Sequence, residues 1–310
     1  MSKLQSLESL SDLLKRIESG YLLKKYVKNI LKKDRINNEF FFGNLDPKMR
    51  INDATSVMYE EYFRLVQSTL GNTIKTLKYD SRTMVYYNIT DPDVIIKAYP
   101  VVQKIRYTER NEDDVSRYLD ENGFGVPHRY PKYETEYLRC YPMERVEMVL
   151  GHLQTTQPHP LSDSRLSEIA GVITKILERL ADKFCMLYSD ISPWNIGFRT
   201  DGSPVLFDFG SLTPYYNHRP DAYINQFMAF TLRYTSIRNE QHLIDGVKTK
   251  PTILDDYESL GYVMIESKTM DLHLLDNPSV DNKKSIVQRA INGDFGEFLK
   301  CWFESLGLNV

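Results

Sequence analysis

Residues 185–212 read CMLYSDISPWNIGFRTDGSPVLFDFGSL. Asp190 is followed five residues later by Asn195, and thirteen residues after that comes Asp208, in the triplet Asp-Phe-Gly. The short apolar runs IGF and PVLFDFG flank the turn RTDGSP, a pattern that predicts a hairpin. Upstream, SRLSEIAGVITKILERLADKF (164–184) carries apolar residues at helical spacing and delivers the chain into CMLYSD. Asp190 and Asn195 then fall on the loop between helix and hairpin, and Asp208 falls just after the second strand. Three oxygen-bearing side chains can gather at one edge in this layout, fit to hold a metal ion and a phosphate.

The rest of the chain sets bounds. Its 310 residues suffice for one large domain or two smaller ones. A net charge of −3 offers no global field toward nucleic acid. Cys140, Cys185 and Cys301 show neither CxxC nor Cys/His spacing, so they predict reduced thiols rather than a zinc site or a disulfide frame. The opening MSKLQSLESLSDLLKRIE is too charged for a signal segment. No apolar run approaches the ~20 residues of a membrane span. A soluble intracellular protein, cytoplasmic or nuclear, with no membrane span and no nucleic-acid partner is the expectation.

Leu4, Leu7, Leu10, Leu13, Leu14 and Ile17 recur at helical spacing. LLKKYVKNILKKDR follows, with Lys24, Lys25, Lys28, Lys32, Lys33 and Arg35. These predict an N-terminal helical extension over 1–60, either packed on its own domain or open to a partner. A further helix is predicted over 53–67. The stretch 73–100, rich in Val, Ile, Thr and Tyr, predicts strands broken by a turn at TDPD (90–93). NEDDVSRYLDENGFG (111–125) predicts a helix with Gly123 near its end, and TEYLRCYPMERVEMVL (135–150) a strand leading into a connector. DDYESLGYVMIES (255–267) and FGEFLKCWFESLG (295–307) predict two more helices. Strands come first and helices later, which suits an α+β fold with a sheet lobe over 61–146 and a helical lobe over 147–310.

The opening stretch resembles the catalytic centre of eukaryotic protein kinases, in which a loop H-R-D-x-x-x-x-N precedes D-F-G. Here YSDISPWN (188–195) stands for the first and DFG (208–210) for the second. FTLRYTSIRNEQ (230–241) and DDYESLGYVMIE (255–266) are similar to segments of the casein kinase 1 and vaccinia-related kinase group, as is NGFGVPHRY (122–130). The resemblance runs from about Leu70 to Phe303. It implies a two-lobed fold that uses ATP and Mg²⁺ to phosphorylate Ser/Thr hydroxyls of a protein substrate. By position, Asp190 accepts the proton of the attacking hydroxyl, while Asn195 and Asp208 hold Mg²⁺. Lys97, in DVIIKAY, bridges the nucleotide's α and β phosphates. Its acidic partner is Glu112, with Asp113 as the alternative. Met143 is the gatekeeper, and Glu144 to Val146 face adenine. Asp256 bonds the catalytic-loop backbone from a buried helix, and Arg233 lies in the substrate-facing loop.

The chain departs from the family pattern in several places. Tyr188 and Ser189 stand where His and Arg precede the catalytic Asp, which implies no dependence on a phosphorylated activation loop. Ser192 replaces the Lys that steadies the γ-phosphate, a loss of roughly a few kcal/mol of transition-state stabilisation if nothing compensates. The phosphate-covering loop, LGNTIKTLKYD, keeps Gly71 but has Thr73 and Thr76 where further glycines belong. Two other readings therefore accompany the protein kinase. One is a scaffold that no longer transfers phosphate. The other is a small-molecule phosphotransferase of the aminoglycoside or choline kinase type, against which the RYTS and DDYESLGY segments speak.

Overall fold

Residues 63–64, 66–67, 73–79, 83–100, 107–135, 138–156, 159–214, 231–245, 251–271, 273–276 and 279–308 are described by a computed structural model. The predicted helix over 4–17, the basic stretch and Gly71 lie outside the described residues. Of the predicted 53–67 helix, Phe63, Arg64, Val66 and Gln67 are described and helical, with Phe63 and Val66 buried.

The β-branched and aromatic content of 73–144 produces five strands: β1 (Ile74–Tyr79), β2 (Met84–Asn88), β3 (Asp91–Pro100), β4 (Tyr133–Glu134) and β5 (Leu138–Glu144). They form one antiparallel sheet in the order β1-β2-β3-β5-β4. Side chains alternate between its faces. Met84, Tyr86, Ile96, Ala98 and Cys140 share one face and are buried. Lys97 stands on the other, opposite Val85 and Tyr141. The β2–β3 turn differs from expectation. It is made by Ile89 and Thr90, and Asp91, Pro92 and Asp93 already belong to β3. Asn88 explains the shift, because its Oδ1 accepts from both the backbone N–H (3.0 Å) and the hydroxyl (2.8 Å) of Thr90, closing the turn early.

The chain divides into two compact units. One takes the described residues of Met1–Ile105 with Arg129–Arg145, and the other takes those of Arg106–His128 with Val146–Val310. Residues 106–128 fall in the second unit, where their bonds go. Gly125 O accepts from Leu206 N (2.8 Å), and Arg199 Nη2 donates to Val126 O (2.6 Å).

The second unit is mainly helical. Its helices are α1 (Tyr107–Glu121), α2 (Leu150–Thr156), α3 (Asp163–Arg179), α4 (Ile237–Asp245), α5 (Ile253–Thr269), α6 (Val280–Ile291) and α7 (Glu297–Leu306). A small sheet joins β6 (Met148–Val149), β8 (Ile196–Phe198) and β9 (Pro204–Leu206), and a short ladder joins β7 (Met186–Leu187) to β10 (Thr213–Pro214). Ser162 caps α3, accepting from Arg165 N at 3.2 Å. α3 and α5 supply Leu166, Ile169, Ile173, Leu177, Leu260, Val263 and Met264 to one apolar cluster. α5 is apolar or buried nearly all round, as a central helix must be. Gly261 lets it meet α7, since a Cβ there would lie 2.5 Å from the Phe303 ring. The fold class is thus α+β: a small antiparallel sheet with several helices.

Candidate functional site

The helical unit concentrates unusual backbone in the stretch that opened the sequence analysis. Four non-glycine residues among the described ones have left-handed φ, and three of them, Cys185 (52°), Ser189 (68°) and Asp208 (64°), lie there. Such conformations cost about 1–3 kcal/mol each and persist only where surroundings enforce them. After α3 the helix widens into a π turn, Leu180–Phe184, and ends at left-handed Cys185. β7 follows, and the loop Tyr188–Ser192 runs into a 3₁₀ turn, Pro193–Asn195.

That loop is fastened from below by α5. Asp256, 3% exposed, accepts from Tyr188 N through Oδ2 and from Ser189 N through Oδ1, both at 2.9 Å. Burial pushes its carboxyl up to about 7, against the pull of those two N–H donors. Tyr188 is fully buried. Its hydroxyl donates to Phe207 O, and its ring meets Phe209 edge-on, with centroids 5.5 Å apart and planes at 90°. Burial, and then the charges of Asp208, Asp190, Glu112 and Asp256, drive the phenol well above its usual range, so it remains a donor.

Asp190 sits at the loop's tip with both oxygens engaged. Oδ1 accepts from Thr231 N and Thr231 Oγ1, each at 2.9 Å, and Oδ2 accepts from Asn195 Nδ2 at 3.3 Å. Asn195 Nδ2 also donates to Asp190 O at 2.9 Å. Burial raises the Asp190 carboxyl, offset by the Thr231 bonds and reinforced by the nearby Asp208 charge. The β8–β9 ladder pairs Ile196 with Leu206, and Phe207 N donates to Asn195 O at 3.0 Å. Asn195 and Asp208 therefore flank the open end of one hairpin. The Asn195 amide nitrogen is turned to Asp190, and Asp208 follows the other strand of the same hairpin. Among the described residues no group of three or more His, Cys, Asp and Glu has metal-holding geometry.

The other sequence-derived positions fall as follows. Ser192 is buried and extended, and its carbonyl accepts from Asn195 N at 3.0 Å. Glu112 and Asp113 are both buried on α1. Asp113 pairs with Arg117 at 3.2 Å, whereas the Glu112 charge acts on Tyr188. Val146 packs beside Gly197, where a Cβ would come within 3.2 Å of it. Arg233 Nε donates to Glu266 Oε1 (2.8 Å) and Nη1 to Asp276 Oδ1 (2.7 Å). In the sheet unit, Lys97 and Met143 share a face, Met143 pairing with Ile95 and Glu144 with Val94.

Thr231 and Lys283 escaped the sequence reading. Lys283 is buried completely. Nζ donates to Leu232 O (3.0 Å) and Thr235 O (2.6 Å) and lies 2.6 Å from Glu240 Oε2. It thereby holds the turn Leu232–Tyr234, which continues directly from Thr231. The available signal was weak: Thr231 stands two positions before the RYTS segment, and Lys283 is one of two adjacent lysines on α6.

No helix among the described residues is long and apolar enough to cross a membrane. No protein-family model matches the chain, and no curated protein sequence matches it.

Proposed function

We propose that this chain is an ATP- and Mg²⁺-dependent protein kinase that transfers the γ-phosphate to Ser/Thr hydroxyls of a protein substrate. In this reading the sheet unit and the helical unit are the two lobes of a protein-kinase-like fold. The observation that carries it is the Asp190 carboxylate, bonded to Thr231 and Asn195 on a loop tied down by Asp256, with Asp208 at the end of the adjoining hairpin.

Phosphoryl transfer asks a protein for positioning and charge neutralisation. Asp190 Oδ1 is committed to Thr231, so Oδ2, with its single longer bond, takes the proton. The acceptor oxygen bonds to the γ-phosphorus, its proton passes to Asp190 Oδ2, and the bond from that phosphorus to the β–γ bridging oxygen breaks, releasing ADP. Burial raises the Asp190 carboxyl above the ordinary carboxylate range, which makes it a stronger proton acceptor. Mg²⁺, when bound, neutralises phosphate charge, and Asp208 and the Asn195 amide oxygen are the residues that would hold it. Lys97 of the sheet unit keeps the phosphate-binding role that the resemblance implies.

The test is transfer of labelled γ-phosphate from Mg-ATP to casein and to the chain itself, with Asp208→Asn as control. Transfer that vanishes in the variant supports the proposal. Ser192, in place of the γ-phosphate lysine, favours a second reading, a nucleotide-binding scaffold without transferase activity. Nucleotide binding with no transfer by folded wild-type protein would select it.

A further inference from the structure

Four large apolar side chains of the helical unit are exposed among the described residues: Trp194, Leu232, Ile244 and Leu254. Two of them stand beside the two side-chain partners of Asp190. Trp194, 55% exposed, precedes Asn195, and Leu232, 54% exposed, follows Thr231. A single exposed Leu needs no explanation. Two exposed apolar groups, each one residue from a side chain bonded to the same carboxylate, are another matter.

Both are held by rigid backbone. Trp194 lies in the 3₁₀ turn between buried Pro193 and buried Asn195. Its ring rests on Gly151 of α2, so closely that a Cβ there would lie 2.7 Å from it. One ring face is thus fixed on α2. Leu232 opens the 3₁₀ turn Leu232–Tyr234, and its carbonyl and that of Thr235, just past the turn, both accept from Lys283 Nζ. The neighbouring cation does not favour an anionic substrate, because Arg233 is neutralised by Glu266 and Asp276.

We infer that Trp194 and Leu232 are specificity-determining residues that select an extended protein segment with apolar side chains close to the acceptor hydroxyl, not a segment marked by acidic or phosphorylated residues. This rests on the kinase reading and names its substrate class. Burying half-exposed Trp and Leu surface against substrate side chains favours binding by an amount that registers mainly in KM.

The experiment is phosphorylation of a peptide array with each position around a central Ser varied, using the full chain and Mg-ATP, followed by kinetics on the best peptide. Wild type should prefer Leu, Ile, Val, Phe or Met at one or more flanking positions over Asp, Glu or phosphoserine. Trp194→Ala and Leu232→Ala should each raise KM for that peptide about tenfold with kcat and peptide-independent ATP hydrolysis unchanged. Trp194→Phe should retain most of the preference. Transfer with no apolar preference, or Ala variants whose KM is unmoved, overturns the inference and leaves the kinase reading standing. Equal loss of kcat and ATP hydrolysis in the Ala variants also overturns it, since that is a folding defect. No transfer to any peptide by wild type overturns the kinase reading itself.

Discussion

The hydroxyl of Tyr188 donates to the carbonyl of Phe207, the residue immediately before Asp208. One phenol therefore joins the loop that carries Asp190 to the strand end that carries Asp208. Its ring, edge-on to Phe209, adds a second tie. Tyr188→Phe keeps the ring and removes the donor, leaving that carbonyl short of a partner. The expected loss is about 1–3 kcal/mol of stability by urea unfolding. If the chain transfers phosphate as proposed, the Mg²⁺ concentration for half-maximal transfer should also rise several-fold. An unaltered Mg²⁺ requirement would show that the bond does not position Asp208.

Asp256 and Glu258 on α5 both have carboxyl groups pushed up to about 7 by burial. Between about pH 4 and 7 the folded chain keeps protons that the unfolded chain has released. Each group's contribution to stability is therefore fully present below its unfolded pKa and is lost as pH rises through about 7. Urea midpoints should fall across this window and level off above it. Glu258→Gln should flatten the slope, while leaving an oxygen to accept from Ile237 N and Tyr262 Oη, which now bond Glu258 Oε1 at 2.7 Å. A variant with the wild-type slope would assign the dependence elsewhere.

Lys283→Met strands the Glu240 carboxylate and removes the donor to the part-buried Leu232 carbonyl and the buried Thr235 carbonyl. Breaking one partner of a buried pair costs about 3–5 kcal/mol. Thermal unfolding should show a loss of that order. Lys283→Arg, with its charge kept, should recover part of it. A neutral effect of the Met variant would mean that Glu240 finds water on loss of its partner.

Gly151→Ala drives a methyl into the Trp194 ring. Overpacking of this kind costs about 1–3 kcal/mol unless the ring moves away. The chain has two tryptophans, Trp194 and Trp302, and Trp302 donates through Nε1 to Tyr257 O at 3.2 Å. A changed emission spectrum in the variant would thus report on Trp194, and Trp194→Phe would serve as the blank. Identical spectra would show that the ring does not rest on Gly151 in solution.

Local grammar made much of this fold legible. The Val-, Ile-, Thr- and Tyr-rich stretch 73–100 forms strands, the apolar periodicity of 164–184 is α3 with its π turn, and DDYESLGYVMIES lies inside α5. IGF and PVL pair as the predicted hairpin. Contacts between distant residues were not legible. Thr231 reaches Asp190 across forty-one positions, and Lys283 reaches Leu232 across fifty-one. No spacing rule encodes such pairings. Gly125 and Val126 likewise bond to residues that come much later in the chain. Tyr188 read as a departure from the family pattern, and its bond to Phe207 emerged only with the chain in three dimensions.

Gly261 lets α5 and α7 come within side-chain touch, the Phe303 ring filling the place of the missing methyl. This has a consequence for how the chain is made. α5 carries Asp256, the fastening of the Asp190 loop, but it completes its burial only when Glu297–Leu306 has left the ribosome and docked. Until then the nascent chain holds a central helix with an uncovered flank, the kind of surface chaperones bind. Biogenesis therefore finishes the foundation of the site late, long after the loop it supports has been synthesised.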